Sequence, residues 1–240
     1  MRTIVSLGLS SIALVCICAS ASADSAVVPT AWGVRLGWTA AQFLDKYGDA
    51  FPDARNDFTA SAYARYPVWR MLSLQPELGW APKGGSGETQ VQLVQGGQPV
   101  TFDVQSDHRI DYLEMPLLLR FDMPMHSLMP YALLGPELAF RVGTGHSKLT
   151  YTEAATKAAR GRVASPAATI FEGAGTFDQE FDAEPIDAGA IGGLGFLVES
   201  GPLRWGVEGR YTYGLLDVRS GEGFAARNSA FALTAVIELR

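Results

Sequence analysis

Hydrophobic and polar residues alternate with a period of two along residues 203–216. One parity carries large apolar side chains, namely Leu203, Trp205, Val207, Tyr211, Tyr213 and Leu215. The other parity carries Arg204, Gly206, Glu208, Arg210, Thr212 and Gly214. A period of two predicts a β-strand with two different faces. An aromatic-rich face opposite a glycine-rich, charged face is typical of a strand that lies between lipid and a narrow barrel interior.

The same alternation predicts eight strands along the chain. They cover residues 30–39, 58–67, 69–81, 108–121, 130–142, 185–199, 203–216 and 229–239. Most reach the roughly 9–11 residues that a tilted transmembrane strand requires. The first strand, for example, sets Trp32, Val34, Leu36 and Trp38 against Gly33, Arg35 and Gly37.

The connections between these strands differ in length. Long loops are predicted at 40–57, 82–107, 143–184 and 217–228, and short turns near 66–69, 122–129 and 200–202. Short periplasmic turns and long extracellular loops are the usual pattern of an outer-membrane barrel. An even number of strands lets the sheet close without free edges, as the lipid core requires. We therefore predict an all-β fold, an eight-stranded antiparallel transmembrane β-barrel.

A soluble, lipocalin-like barrel is the main alternative, because it also has eight antiparallel strands. In that fold the apolar face would line a ligand cavity and the polar face would meet water. The chain has four lysines, Lys46, Lys83, Lys148 and Lys157, and all four fall in predicted loops. Strands without lysine, with glycine and paired charges on the polar face, favour the transmembrane barrel.

Three prolines, Pro76, Pro116 and Pro136, fall in the middle of predicted strands. Each removes a hydrogen-bond donor from the sheet ladder. We expect bulges or local kinks at these positions.

The N-terminal residues 1–23 predict a secretory signal peptide. Arg2 precedes an apolar run that ends in Ala21-Ser22-Ala23, a small-residue cleavage pattern. Both cysteines, Cys16 and Cys18, fall within it, so no disulfide or thiolate site is expected in residues 24–240, the predicted barrel domain. The net charge of −6 argues against nucleic acid as a partner.

Several phrases resemble the outer-membrane protein β-barrel domain family, the small barrels similar to the OmpA and OmpX transmembrane domains. They are Leu74-Gln75-Pro76-Glu77-Leu78, residues 112–119, Pro130-Tyr131 with Gly135-Pro136-Glu137, and residues 208–215. The resemblance extends over most of the chain from Gly33 onward. It implies an outer-membrane location and a barrel architecture, and it implies no single shared activity. The C-terminal Glu238-Leu239-Arg240 departs from the aromatic ending of many such barrels.

The alternation also predicts a set of charges that point into the barrel. They are Glu77, Glu114, Arg120, Glu137, Arg141, Glu208 and Arg210. Because an unpaired buried charge is costly, we expect them to form a network of ion pairs. A narrow path for ions or small solutes is the functional alternative, although eight strands leave an interior that side chains just fill.

Three histidines offer little for catalysis. His108, His126 and His146 share no metal-ligand spacing, and neither a cofactor nor a metal is expected. A lipid-modifying hydrolase would need a histidine and a serine together. The pairs His146 with Ser147 and His108 with Ser106 are the possibilities, and ordinary loop polarity is the simpler interpretation.

The predicted loop 143–184 is the main candidate for a specific function, since long loops in compact folds are usually functional or disordered. It contains a possible short helix at 153–160 and the acidic stretch 177–182, whose spacing does not match a calcium loop. We therefore predict a non-enzymatic protein with a structural or surface-interaction role, embedded in outer-membrane lipid, with a surface partner for loop 143–184. The oligomeric state is left open.

Overall fold

The computed structural model describes residues 30–45, 53–95, 98–151, 176–181, 183–217 and 226–240. The predicted signal peptide and the predicted helix at 153–160 lie outside these residues. The strands are β1 (Ala31–Asp45), β2 (Arg55–Trp69), β3 (Leu72–Gln95), β4 (Gln98–Asp122), β5 (Leu128–Arg141), β6 (Gly145–Tyr151), β7 (Thr176–Phe181), β8 (Ile186–Ser200), β9 (Leu203–Asp217) and β10 (Ala226–Leu239). Within this part of the chain, no helix is long and apolar enough to cross a membrane.

Eight of these strands close into an antiparallel barrel. Their order around it is β1, β2, β3, β4, β5, β8, β9 and β10, and β1 pairs with β10 to complete the circle. Closure satisfies the backbone hydrogen bonds of the wall internally, which the hydrocarbon core of a membrane demands. The predicted fold is confirmed.

Aromatic side chains on the outside of the barrel form two girdles. Trp38 lies directly opposite Phe58 near one end, and its ring centroid is 6.4 Å from that of Phe231. Trp32 and Trp205 are more than half exposed near the other end. Such girdles mark the two membrane interfaces. The short turns, the start of β1 and the end of β10 all lie on the side of Trp32 and Trp205. This side of the barrel therefore faces the periplasm.

The prediction of a loop at 82–107 is wrong. β3 and β4 continue past the extracellular girdle as a ladder that reaches Gln95 and Gln98. Within the predicted loop 143–184, β6 pairs with residues 104–109 of β4, and β7 pairs with β6. The outer parts of β3 and β4 together with β6 and β7 are called the extracellular sheet below. Predicted loops 40–57 and 217–228 are shortened, because β1, β2 and β10 extend into them.

The three mid-strand prolines interrupt pairing but do not shift it. Around Pro76, the β2–β3 register passes from Tyr63–Glu77 to Tyr66–Leu74, three residues on each strand. Equal gaps occur between β3 and β4 at Pro116 and between β4 and β5 at Pro136. Each proline thus interrupts the backbone pairing of its strand with the preceding strand over a few residues. The expected bulges are not found at these positions, because the equal gaps preserve the register.

Two layers of apolar side chains pack inside the barrel. The first occupies the periplasmic half and consists of Tyr63, Leu118, Met129, Tyr131, Leu133, Ile191, Leu197 and Val236. The second lies at the extracellular end and consists of Phe43, Ile110, Tyr112, Ala139, Ala183 and Ala226, with Phe181 packed against it. This second layer is called the apolar cap below. Buried charged side chains, described below, lie beside and between these two apolar layers.

Candidate functional site

Charged side chains in the middle of the barrel form a balanced cluster of two guanidinium groups and two carboxylates. This central cluster consists of Arg35, Glu77, Glu208 and Arg210. Arg210 donates two hydrogen bonds to Glu77, Nη1 to Oε2 at 2.8 Å and Nη2 to Oε1 at 2.7 Å, and it also pairs with Glu208. Arg35 donates to Glu77 and to Glu208, each at 3.1 Å. All four side chains are buried, so each charge has an opposite charge as its partner.

Two tyrosines each lie over a glycine of the neighbouring strand and donate a hydrogen bond to a buried carboxylate. Tyr131 is directly opposite Gly195, and its hydroxyl donates to Glu208 Oε2 at 2.8 Å. Tyr63 is directly opposite Gly33, and its hydroxyl donates to Glu238 Oε2 at 3.1 Å. A Cβ added at Gly195 would lie 2.5 Å from the Tyr131 ring, and one at Gly33 would lie 2.2 Å from the Tyr63 ring. Only glycine leaves room for these rings.

A second cluster lies toward the periplasm. This periplasmic cluster consists of Arg65, Arg120, Arg204, Asp122, Glu199 and Glu238. Glu238 lies at its centre and accepts from Arg204 Nη1 at 2.8 Å and Arg120 Nη1 at 3.3 Å. The Arg120 guanidinium also stacks over the Tyr131 ring, with its carbon 3.7 Å from the ring centroid.

A third cluster lies under the apolar cap, around Lys83. This outer cluster consists of Lys83, Glu114, Glu137 and Asp187. Lys83 Nζ lies 2.6 Å from Glu137 Oε1, 3.1 Å from Glu114 Oε1 and 3.6 Å from Asp187 Oδ2. Asn228 Nδ2 donates to the same Asp187 oxygen at 2.7 Å. One ammonium group therefore faces three carboxylates.

The structure distributes the seven charges that the sequence placed inside the barrel. Glu77, Glu208 and Arg210 lie in the central cluster, Glu114 and Glu137 in the outer cluster, and Arg120 in the periplasmic cluster. Arg141 lies at the extracellular end of β5, half-buried, where its backbone N–H donates to the Pro185 carbonyl.

Sequence reasoning left out several members of these clusters. Arg35, Arg204 and Glu238 lie on the polar parity of predicted strands, and that parity was the signal that could have identified them. The prediction of a loop at 82–107 is wrong for Lys83. It lies in β3 and is buried, because the long β4 strand gives this part of β3 a partner.

The described side chains leave little open space in the lumen. An enclosed polar cavity of about 30 Å³ lies between the central and outer clusters. Its lining includes Arg35, Lys83, Glu114 and Arg210 together with Thr39, Thr59 and Thr212. This volume suits a water molecule. The apolar cap separates it from the extracellular end.

The extracellular sheet carries a polar groove of about 520 Å³ at its base. The lining residues share polar or small side chains and come from the start of β2 and from β3, β4 and β6; they include Asp53, Arg55, Asn56, Glu88, Gln105, Asp107 and Lys148. Gln105 donates to Glu88 at 2.9 Å across the β3–β4 ladder. The groove therefore presents amide, hydroxyl and charged groups of both signs on the extracellular side.

An ion-pair network fixes one wall of this groove, beyond the girdle at Phe58. Arg55 pairs with Asp57 and donates to Asp107 at 2.7 Å, and Arg109 lies 3.5 Å from Asp57. Burial disfavours the charged form of Asp57. The hydrogen bonds from Arg55 and the Phe58 N–H, with the charges of Arg55 and Arg109, outweigh burial and lower the pKa of Asp57.

The candidate histidine–serine pairs fall in the extracellular sheet. His146 and Ser147 are neighbours on β6, so their side chains point to opposite faces. The Ser106 hydroxyl donates to the Gly87 carbonyl at 3.0 Å. His108 lies opposite Ser147 in the β4–β6 register, a proximity that the sequence did not suggest.

The acidic stretch 177–182 coincides with β7 as far as Phe181, and residue 182 lies outside the described part. Asp178 and Glu180 are exposed, and Asp178 lies 4.0 Å from His146 Nδ1. Across the described ranges, no three acidic, histidine or cysteine side chains are arranged to hold a metal ion. His126 lies in the turn before β5 with a φ of 51°.

Comparison with known proteins places this architecture in a family. The family described as outer membrane protein beta-barrel domain matches residues 23–220. The chain belongs to this family. It is an outer-membrane β-barrel protein, as the closed barrel and its aromatic girdles require. A search of curated proteins finds no match.

Solved structures of small outer-membrane barrels are similar to this chain at low sequence identity. Neisserial surface protein A is 11% identical, with 87% of this chain and 97% of that chain covered and a TM-score of 0.43. The attachment invasion locus protein of Yersinia pestis is 11% identical, with 88% and 100% covered and a TM-score of 0.42. The N-terminal barrel domain of Pseudomonas aeruginosa OprF is 10% identical, with 86% and 97% covered and a TM-score of 0.32.

Proposed function

We propose that this barrel is a non-enzymatic anchor that presents the extracellular sheet to a partner at the cell surface. The observation that supports this most is the extension of β3 and β4 beyond the girdle, with β6 and β7 added to the edge of β4. Ordered strands that project from the membrane give a fixed surface, which suits recognition better than a loop that must be ordered on binding.

The chemistry of this surface favours a polar partner. The groove at its base is lined by polar and charged side chains of both signs, and Asp178 and Glu180 are exposed on β7. Mixed charges with amide and hydroxyl groups provide directional hydrogen bonds instead of apolar burial. Contact through the sheet is therefore expected to depend on salt concentration.

The interior supports an anchoring role over a channel. Ion pairs that cross the lumen and two apolar layers occupy the interior, and the cavity between the central and outer clusters holds about 30 Å³. A rigid, filled barrel holds its extracellular strands in a constant arrangement.

The proposal is tested by a shortened variant that keeps the barrel. His146 and Glu180 are directly opposite in the β6–β7 ladder, so replacing residues 147–179 with Asn-Gly closes a short hairpin there. We expect cells that display this variant to lose the attachment to surfaces or to other cells that the full protein confers. Equal outer-membrane levels and the same heat-dependent gel mobility establish that the barrel is intact.

Attachment that is the same for the full protein, the shortened variant and cells without the protein would contradict the proposal. A matched control is Arg227→Ala, which removes an exposed ion pair with Asp217 at the start of β10 and leaves the extracellular sheet unchanged. This control is expected to attach like the full protein.

A further inference from the structure

The lipid-facing wall of the barrel carries an apolar groove of about 550 Å³ in its periplasmic half. This volume falls within the range of pockets that hold small ligands. Trp32, which lies in the periplasmic girdle, forms part of the lining, so the groove lies in the periplasmic leaflet of the membrane. The lining comes from β1, β2, β3 and β10 and includes Trp32, Val34, Ala62, Ala64, Pro76 and Leu78.

The groove exists because β2 carries alanines where its neighbours carry large side chains. Ala62 lies directly opposite Val34 on β1 and Leu78 on β3, and Ala64 lies directly opposite Trp32. Side chains that are directly opposite in an antiparallel pair point to the same face of the sheet. The alanine methyl groups therefore form the floor of the groove, and the larger side chains form its walls.

The groove also lies over an interruption in the backbone pairing of the wall. β2 and β3 pair at Tyr63–Glu77 and again at Tyr66–Leu74, and Pro76 lies in the gap between these pairs. Fewer backbone hydrogen bonds hold the two strands together there. An apolar chain in the groove packs against both strands, so it is expected to stabilise this part of the wall.

The turn that joins the same two strands carries a cation among apolar side chains. Val68, Trp69, Arg70 and Met71 are all exposed. Among the described residues, the Arg70 guanidinium has no ion-pair or hydrogen-bond partner. Exposed tryptophan is typical of the membrane–water interface, and guanidinium groups bind phosphate through charge-assisted hydrogen bonds. The turn therefore presents a phosphate-binding group at the level of the lipid headgroups.

The distance between Arg70 and the groove matches the length of one phospholipid. Arg70 is eight residues from Ala62 along the chain. At about 3.3 Å per residue this is about 26 Å along the strand. A strand tilt of about 40° reduces it to about 20 Å along the membrane normal. One leaflet with its headgroups is also about 20–22 Å thick.

We propose that the groove and the β2–β3 turn together bind one anionic phospholipid of the periplasmic leaflet. Arg70 pairs with the headgroup phosphate, and one acyl chain lies over Ala64 and Ala62. A lipid with a net negative charge is preferred over a zwitterionic one, because Arg70 has no described carboxylate to neutralise it. The site and the extracellular sheet lie at opposite ends of the barrel, so its tests do not depend on the proposed surface role.

A second copy of the barrel fits this groove less well than an acyl chain. Trp32 is 58% exposed and Leu78 is 52% exposed, so both walls stand above the floor. Two convex barrel walls touch along a narrow strip, whereas a stable protein interface buries about 1,200–2,000 Å². A flexible chain follows the groove along its length and reaches the alanines.

Native mass spectrometry of the protein in mixed micelles tests the site, with dioleoyl phosphatidylglycerol and dioleoyl phosphatidylcholine as the probes. We expect one phosphatidylglycerol to be retained about fivefold more strongly than phosphatidylcholine, as one arginine near a phosphate contributes that much. Arg70→Gln is expected to remove this preference. Ala62→Leu fills the groove, so it is expected to lower the retention of both lipids.

Two matched controls are expected to retain both lipids as the unmodified protein does. Ala190→Leu makes the same change on β8, where Ala190 is opposite Tyr213 and away from the groove. Arg227→Gln removes an exposed arginine on the extracellular side. Equal retention of the two lipids, or equal losses in Ala62→Leu and Ala190→Leu, would show boundary lipid only and overturn the proposal. A dimer that retains no lipid and is disrupted by Ala62→Leu would assign the groove to a second copy and also overturn it.

Unfolding in urea provides a second test in a bilayer. A ligand that binds only the folded state raises the unfolding midpoint. When phosphatidylglycerol replaces part of the phosphatidylcholine in the vesicles, the midpoint should rise for the unmodified protein and for Ala190→Leu. It should not rise for Arg70→Gln. The same rise in all three proteins would report the surface charge of the vesicle and overturn the site.

Discussion

Arg210 on β9 forms a bidentate ion pair with Glu77 on β3 across the lumen, and both carboxylate oxygens lie within 2.8 Å of its guanidinium nitrogens. The two strands are not neighbours in the sheet. This bidentate pair therefore ties opposite walls of the barrel together, and the Arg35 guanidinium contacts the same carboxylate from β1.

Removing Arg210 is expected to destabilise the barrel strongly. Arg210→Ala leaves Glu77 and Glu208 with one guanidinium between them, and breaking a buried pair from one side costs about 3–5 kcal/mol. The measurement is the urea unfolding midpoint in vesicles. Arg227→Ala, which breaks an exposed pair, is the control and should change the midpoint little. Equal effects of the two changes would contradict the role of the central cluster.

A methyl group at Gly195 is expected to displace Tyr131. In Gly195→Ala the new Cβ would overlap the tyrosine ring and weaken the hydrogen bond to Glu208, so stability should fall by about 1–3 kcal/mol, as for other overpacked sites. Gly192→Ala on the same strand is the control, because the nearest atom to its added Cβ is 3.9 Å away. The unfolding midpoints of the two variants report the outcome. Two equally tolerated variants would show that the ring does not need Gly195.

No steady conductance is expected from this barrel in planar bilayers. Side chains of the three charged clusters and the two apolar layers fill the described lumen, as expected for eight strands. Single-channel recording over a range of voltages is the measurement. A stable conductance that shifts in Arg210→Ala or Glu114→Ala would instead establish the solute path.

Lipid A is expected to be unchanged by the histidines of the extracellular sheet. His146 and Ser147 point to opposite faces of β6, and the Ser106 hydroxyl donates to a backbone carbonyl. The pair that the β4–β6 register brings together is His108 with Ser147, so His108→Ala is the stricter of the two changes. Mass spectrometry of lipid A from cells that produce the protein, His108→Ala or His146→Ala should give the same species. A lipid A species that depends on either histidine would establish the hydrolase.

The ion pairs around Asp57 are expected to weaken only in acid. Because the pKa of Asp57 is lowered in the folded protein, its contribution to stability is complete above the unfolded value of about 3.9 and is lost as the pH falls through the folded value. The carboxyl carbon shift of Asp57, followed by NMR, should therefore titrate below about 3.9. Asp57→Asn removes the signal and confirms the assignment. Titration at or above that value would contradict the network.

Local alternation predicted the barrel because each strand carries its own two-faced pattern. Trp32 to Trp38 on β1 and Trp205 to Leu215 on β9 read as lipid-facing positions without reference to any other strand. The sequence does not predict the extracellular parts of β3, β4, β6 and β7 as strands, although Val100, Phe102 and Val104 on β4 alternate with polar residues. Glycines and Pro82 in that region resemble turn signals, and only pairing with a partner strand makes them extended.

By itself, the sequence determined that the chain closes into an eight-stranded barrel in lipid, with charges inside and aromatic side chains outside. Period-two patterning suffices for this, since facing lipid or the lumen is a property of each residue on its own strand. Only the tertiary structure decided that Arg210 meets Glu77 and that Lys83 contacts three carboxylates under the apolar cap. These contacts depend on how strands far apart in sequence are staggered around the closed barrel, which no local pattern specifies.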